Sequence, residues 1–162
     1  GFSPFVLINL GSGAGFAYHD GRDVMRGHLG GAGLVCQETR WVDEISAELT
    51  MDYLLSGRGV SLLYERLAGM RLAAADVARR FHQDEMARKV FGIIGHHFGH
   101  YLVTLGRMLN PRAFILAGSV TNSSELFLSN AVEIAERNLE PACRPELITV
   151  SRLETPACQG LA

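Results

Sequence analysis

No run of about 18 uncharged apolar residues occurs in the chain, so no segment reads as a membrane-spanning helix. Neither sign of charge dominates: 15 basic and 17 acidic residues leave a formal net charge of −2. Such a balance offers no electrostatic footprint for nucleic acid. Cysteine is confined to Cys36, Cys143 and Cys158, widely spaced and odd in number. They form neither a CxxC pair nor a recognisable disulfide framework, which points to a reducing, cytoplasmic setting. The first residues carry no basic leader and no small-residue cleavage site, so nothing suggests export. What the chain has in quantity is apolar residues, 48% of 162, enough for one well-buried domain and too much for disorder. Glycine is also in excess, with 18 residues. Opening inside a strand and stopping abruptly, the sequence reads as a piece of a longer polypeptide.

The apolar run Phe5–Leu10 has strand length and closes on Gly11-Ser12-Gly13. Alternation resumes over residues 15–19, breaks at Asp20-Gly21 and returns over 22–26. An Asp-Gly between alternating runs favours a tight hairpin, so three antiparallel strands are expected in the first 26 residues. Gly27–Gly33 is too glycine-rich for an element interior and reads as a loop. From Asp43 the period becomes helical, with Ile45, Leu49, Tyr53 and Leu54 on one face; further helices are expected near 59–68 and 74–82. Residues 84–109 form the longest periodic segment. Val90, Ile94, His97, Phe98, Tyr101, Leu105 and Met108 share its apolar arc, opposite Lys89, His96, His100 and Arg107. Asn110-Pro111 ends it. A buried strand over 113–117, a helix over about 123–138 capped by Ser123 or Ser124, and a strand over 147–150 complete the order. It predicts one α/β domain with a mixed sheet.

A strand–glycine bend–strand can cradle an anion, because backbone N–H groups in a Cβ-poor turn converge on one spot. Gly11, Ser12, Gly13 and Gly15 are the candidates here, with the Ser12 hydroxyl as an extra donor, although the same triplet also occurs in hairpins that bind nothing. Ala117-Gly118-Ser119 is a second candidate, at the carboxyl end of a buried strand, where α/β sheets place their ligands. Ordinary strand–helix packing is its alternative reading.

Together these stretches resemble a known family. Residues 6–33, VLINLGSGAGFAYHDGRDVMRGHLGGAG, resemble the second-lobe phosphate hairpin of the ROK family of sugar kinases and repressors. Residues 51–60, MDYLLSGRGV, are similar to its LExxxSGxAL segment and still closer to the SGxGL segment of bacterial glucokinases. Residues 105–127 resemble its LxxLLNPExIVLGGGV stretch, and Leu153 to Ala162 its final nucleotide-side segment. The resemblance implies the larger, C-terminal lobe of an actin-like (RNase H-like) ATPase fold over residues 1–162, acting with an N-terminal lobe outside this sequence. It implies ATP and Mg²⁺ as cofactors, a sugar or amino-sugar as acceptor, and a homodimer through this lobe, with the 84–109 helix contributing. By the same resemblance Gly11, Ser12 and Gly13 would hold the β/γ phosphates, and Gly118 and Ser119 would lie by the adenosine. Asp52 would match the glutamate that hydrogen-bonds sugar hydroxyls.

Two departures qualify that expectation. Where the family carries Gly-Glu-x-Gly-His, this chain has Gly33-Leu34-Val35-Cys36-Gln37. Leu34 cannot accept a sugar hydroxyl, and Gln37 stands in for the histidine as the remaining candidate substrate contact. The family's cysteine-rich zinc motif has no counterpart beyond Cys36, so no structural zinc is expected. No residue here matches the catalytic aspartate, which belongs to the other lobe; the chain alone is expected to be inactive. Three readings of function compete: an ATP-dependent sugar kinase, a non-catalytic sugar-sensing module of a repressor or pseudokinase, and a relative of type II pantothenate kinases. The last rests on Asn9–Gly13. Nucleic acid enters only if a helix-turn-helix precedes the chain. His96, His97 and His100 could suggest a metal site, but the wheel splits them between two faces. Arg40 and Trp41 could line an altered pocket, or simply lie on the surface. Arg79, Arg80, Arg88 and Lys89 read as solvated.

Overall fold

The computed structural model describes residues 3–151. Two strands, β1 (Phe5–Leu10) and β2 (Ala14–His19), pair antiparallel around the bend at 11–13. A separate two-stranded sheet joins β3 (Thr39–Val42) to β4 (Ala47–Thr50). Four helices follow: α1 (Met51–Leu54), α2 (Gly57–Ala68), α3 (Ala74–Arg79) and α4 (Glu85–Leu109). Strand β5 (Ala113–Ala117), helix α5 (Leu128–Asn138) and strand β6 (Leu147–Val150) complete the order. The main sheet runs β2-β1-β5-β6, with β2 antiparallel to β1 and β5 parallel to both β1 and β6. This is the expected mixed α/β sheet.

Strand alternation puts Val6, Ile8 and Leu10 into the core while Asn9 stays exposed. Phe114 and Leu116 of β5 join them, and α4 lays Val90, Ile94, Phe98, Tyr101 and Leu105 into the same core. Helix α4 starts where Asp84 Oδ1 accepts the Met86 and Ala87 N–H groups, at 2.8 and 3.3 Å. The other carboxylate oxygen accepts the Tyr64 hydroxyl at 2.5 Å, tying α2 to the start of α4. Asn110 ends the helix in the left-handed region at φ 42. Along its other flank, Gly95, Gly99 and Gly106 meet α5 and the residues flanking it: a Cβ on them would lie 2.8, 2.7 and 2.8 Å from atoms of Phe127, Ile134 and Leu139 respectively.

Several expectations need correction. Residues 22–26 do not form a third strand; a single bridge joins His19 to Val24. Asp20 Oδ1 accepts the N–H groups of Arg22 and Asp23 at 2.7 and 2.8 Å, and His19 Nδ1 accepts that of Gly21 at 3.0 Å. Side chains thus take donors that a ladder would need. The helix expected from Asp43 is a 3-10 turn (Asp43–Ile45), strand β4 and the single helical turn α1. The helix expected over 123–138 breaks at Phe127 (φ −137), leaving a 3-10 stretch (Ser119–Leu126) before α5 and no serine cap. Helix α3 ends at Arg79, and Met108 is 64% exposed rather than on the apolar arc. The segment 153–162 and Cys158 lie outside the described residues.

His97 is the half-buried member of the α4 histidine trio, and its ring stands 5.3 Å from that of His96. Burial pushes its pKa below the ordinary histidine value; His96, His100 and Arg40 add to this, and Glu44 opposes it. The neutral ring is therefore favoured by folding, so the unfolded chain takes up the proton first as pH falls. Stability is expected to be fully present above about pH 6.5 and to drop as pH falls through the lower folded value. A His97→Gln variant should show a flatter loss of melting temperature between pH 7 and 5.

Candidate functional site

The two glycine-containing stretches singled out in the sequence meet. Gly11-Ser12-Gly13 leave the carboxyl end of β1, Gly118-Ser119 leave that of β5, and these are parallel neighbours with Asn9 opposite Ala117. The contact is close: a Cβ on Gly118 would lie 2.4 Å from the Leu10 carbonyl oxygen and 2.8 Å from Asn9 Oδ1. Within the bend, the Gly11 N–H donates to the Gly13 carbonyl at 2.8 Å, and the Gly11 carbonyl accepts the N–H of Gly57, the first residue of α2, at 3.1 Å. The Ala14 N–H donates to Asp52 Oδ1 at 3.0 Å. Among the described residues this leaves the amides of Ser12 and Gly13, with the exposed Ser12 hydroxyl, as the donors of the bend without a partner. Gly15 sits one residue into β2, with nothing within 4 Å of where a Cβ would be.

Asp52 is held in place from both sides. Thr50 caps α1 by accepting the Tyr53 N–H at 3.2 Å, which sets Asp52 in the first turn against the bend. Its Oδ1 lies 2.3 Å from the site a Gly13 Cβ would occupy, so this carboxylate fills the space that the missing side chain leaves. Arg58 Nη2 approaches Oδ2 at 3.7 Å, and the Arg58 guanidinium carbon lies 5.0 Å over the Tyr53 ring. Helix α2 begins beside the bend because Ser56, fully buried, accepts the Gly59 N–H at 3.3 Å and donates its hydroxyl to the Tyr53 carbonyl at 2.6 Å. Next to Ser119, a cavity of ≈ 320 Å³ opens between α2, α3 and α4, lined by Gly57, Val60, Ala74, Phe91 and Asn122 among others.

Gln37 ends a turn that packs against α1, the helical turn that carries Asp52. The 3-10 turn Leu34–Gln37 packs beside β2 and α1, with Leu34 65% exposed and Gln37 exposed. The Met51 N–H donates to the Glu38 carbonyl at 2.9 Å, anchoring this turn to α1. Cys36 points inward, 2% exposed, with its sulfur 2.9 Å from the Tyr101 hydroxyl; burial pushes the thiol pKa up. Trp41 is exposed, and Arg40 forms a two-pronged pair with Glu38 at 2.7 and 3.1 Å. His96 and His100 are exposed, and no group of three or more His, Cys, Asp or Glu among the described residues could hold a metal ion. Arg79 pairs with Asp76, and Arg88 donates to the Phe81 and His82 carbonyls at 3.3 and 3.2 Å. Sequence reading missed Arg58, Asn9 as a neighbour of Gly118, and the cavity. Only the position of Arg58 inside the SGxG segment could have flagged it.

The family model described as ROK family matches residues 1–160. The chain belongs to the ROK family. A curated N-acetyl-D-glucosamine kinase from Mannheimia succiniciproducens is 27% identical over 143 residues, covering 76% of this chain and 46% of that protein. Among solved structures, a ROK hexokinase from Thermus thermophilus superposes with TM-score 0.83 at 21% identity, over 97% of this chain and 56% of that one. A ROK glucokinase from Streptomyces griseus, in complex with glucose and AMPPNP, gives TM-score 0.78 at 21% identity, over 94% and 57%. A ROK family transcriptional regulator also matches, at TM-score 0.74 and 17% identity, over 94% and 43%. The chain thus spans about half the length of the relatives it matches. Its fold is the one that these ROK proteins share.

Proposed function

We propose that the intact protein carrying this chain transfers the terminal phosphoryl group of ATP to a hydroxyl of a sugar or amino-sugar. The observation that supports this most is the convergence of the 11–13 bend and the 118–119 corner at one end of the β1–β5 pair. In this reading the Ser12 and Gly13 amides and the Ser12 hydroxyl bind the β/γ phosphates, Gly11 and Gly15 keep the bend open, and Gly118 and Ser119 border the nucleoside at the cavity. Open space over Gly15 and unpartnered amides at Ser12 and Gly13 fit a phosphate chain. Mg²⁺ would arrive coordinated mainly by the phosphates and water, and would neutralise their charge. Asp52 keeps one oxygen on Ala14 and offers the carboxylate to an acceptor hydroxyl, with Gln37 contributing from the edge. The general base that takes the acceptor's proton is expected in the other lobe, so this chain alone should not turn over.

The exposed Leu34, in place of a carboxylate, favours a second reading in which the sugar is sensed rather than phosphorylated. One experiment separates the two. The intact protein is assayed with Mg-ATP against a panel of hexoses and N-acyl amino-sugars, with sugar binding measured in parallel. Phosphorylated product supports the kinase reading. Sugar binding without product, together with an upstream helix-turn-helix, supports the sensor.

A further inference from the structure

We propose that Arg58 binds the terminal phosphates, leaving Asp52 as they arrive. This rests on the kinase-lobe reading and adds to it a residue that neither the glycine pattern nor the family segment assigned. The geometry sets the guanidinium one carboxylate away from the Gly13–Ala14 peptide. Asp52 Oδ1 is on the Ala14 N–H at 3.0 Å, and Arg58 Nη2 is 3.7 Å from Oδ2. That spacing is an ion pair too long for a hydrogen bond. Arg58 is 56% exposed, so its five donors are largely unspent. The Tyr53 ring beneath it, 5.0 Å from the guanidinium carbon, limits the directions in which it can swing. Its backbone is fixed, because Gly57 is bonded to the Gly11 carbonyl at 3.1 Å.

A planar, permanently charged fork suits phosphate oxygens better than a single carboxylate oxygen at 3.7 Å. The bend itself supplies only neutral donors, and phosphoryl transfer depends on neutralising charge on the phosphate oxygens. Moving Arg58 from Asp52 Oδ2 to those oxygens supplies that charge. It also frees Oδ2 for an acceptor hydroxyl, so phosphate binding prepares the acceptor side of the same carboxylate. No bond is made or broken by Arg58.

The test measures AMPPNP and inorganic tripolyphosphate binding to the intact protein by calorimetry, for wild type, Arg58→Gln, Arg58→Lys and the control Arg71→Gln. Arg71 pairs with Glu65 at 3.2 Å, toward the other end of α2. Arg58→Gln is expected to weaken both ligands by about tenfold or more, Arg58→Lys by less, and Arg71→Gln not at all. The gap between wild type and Arg58→Gln should narrow as salt rises. A nucleotide-only loss would show that Arg58 acts through the nucleoside and overturns the assignment, as would unchanged affinity in Arg58→Gln. If wild type binds neither ligand, the kinase-lobe reading itself fails.

Discussion

Replacing Gly118 by alanine is expected to lower stability by about 3 kcal/mol and to abolish detectable nucleotide binding. Gly118 has φ 95 and ψ 167, a backbone region that is essentially glycine's alone and costs other residues of order 1–3 kcal/mol. The added Cβ would also sit 2.4 Å from the Leu10 carbonyl oxygen and 2.7 Å from its carbon. These are backbone atoms of the neighbouring strand, so relief requires β1 and β5 to part where the site is built. At roughly 2–4 °C per kcal/mol for a chain of this size, the melting temperature should fall by roughly 6–12 °C. Gly92→Ala is the matched contrast. Gly92 is exposed in the middle of α4 with nothing within 4 Å of a Cβ. Alanine there should raise stability by up to about 1 kcal/mol. Thermal melts of both variants, with AMPPNP titrations, check the pair; equal behaviour would contradict the strand contact.

Asp52→Ala is expected to reduce kcat/KM of the intact protein by about a hundredfold or more, on the scale of losing one preorganised polar group in an active site. The substitution removes the acceptor for the Ala14 N–H and leaves the Arg58 charge without its counterion. Asp52→Asn separates the two roles, because its amide oxygen can still accept from Ala14 while the negative charge is gone. If Asp52 serves only to brace the bend, the asparagine variant keeps both phosphate affinity and turnover. If the carboxylate also accepts an acceptor hydroxyl, phosphate affinity is kept while the sugar KM rises and kcat/KM falls. Steady-state kinetics with sugar and ATP varied separately read the difference.

Much of this architecture was legible because it depends on local signals. The apolar run of β1, the length and proline stop of α4 and the short buried run of β5 each state their element within one window of sequence. The glycine bend and the 117–119 corner were found separately, and only the parallel pairing of Asn9 with Ala117 brings them together. The failures came where side chains compete with the backbone or where two periods coincide. Asp20 and His19 capture the amides that a third strand would have needed. Ile45 and Leu49 fit a helical arc, yet Ser46 takes a left-handed conformation (φ 48) that turns the chain from Asp43–Ile45 into β4, so Ile45 and Leu49 never share a helix. Phe127 breaks an otherwise plausible helix to pack edge-on against Phe98, with centroids 6.0 Å apart. Arg58 stayed hidden because a charged residue in the first turn of an amphipathic helix looks like any other solvated one until the carboxylate beside it is located.

In the kinase reading proposed above, the glycine-lined seam between α4 and α5 bears on how the cleft between two lobes could close. Where two helices approach so tightly at Gly95, Gly99 and Gly106, sliding one along the other would drive Ile134 or Leu139 into main chain. The pair therefore has a single register, and shear within this layer is disfavoured. Any closing motion must carry α4, α5 and the strands they back as one body, with its bending concentrated at connections outside that block. Spectroscopic labels on exposed positions of the two helices should accordingly keep a constant separation whether or not ligands are bound.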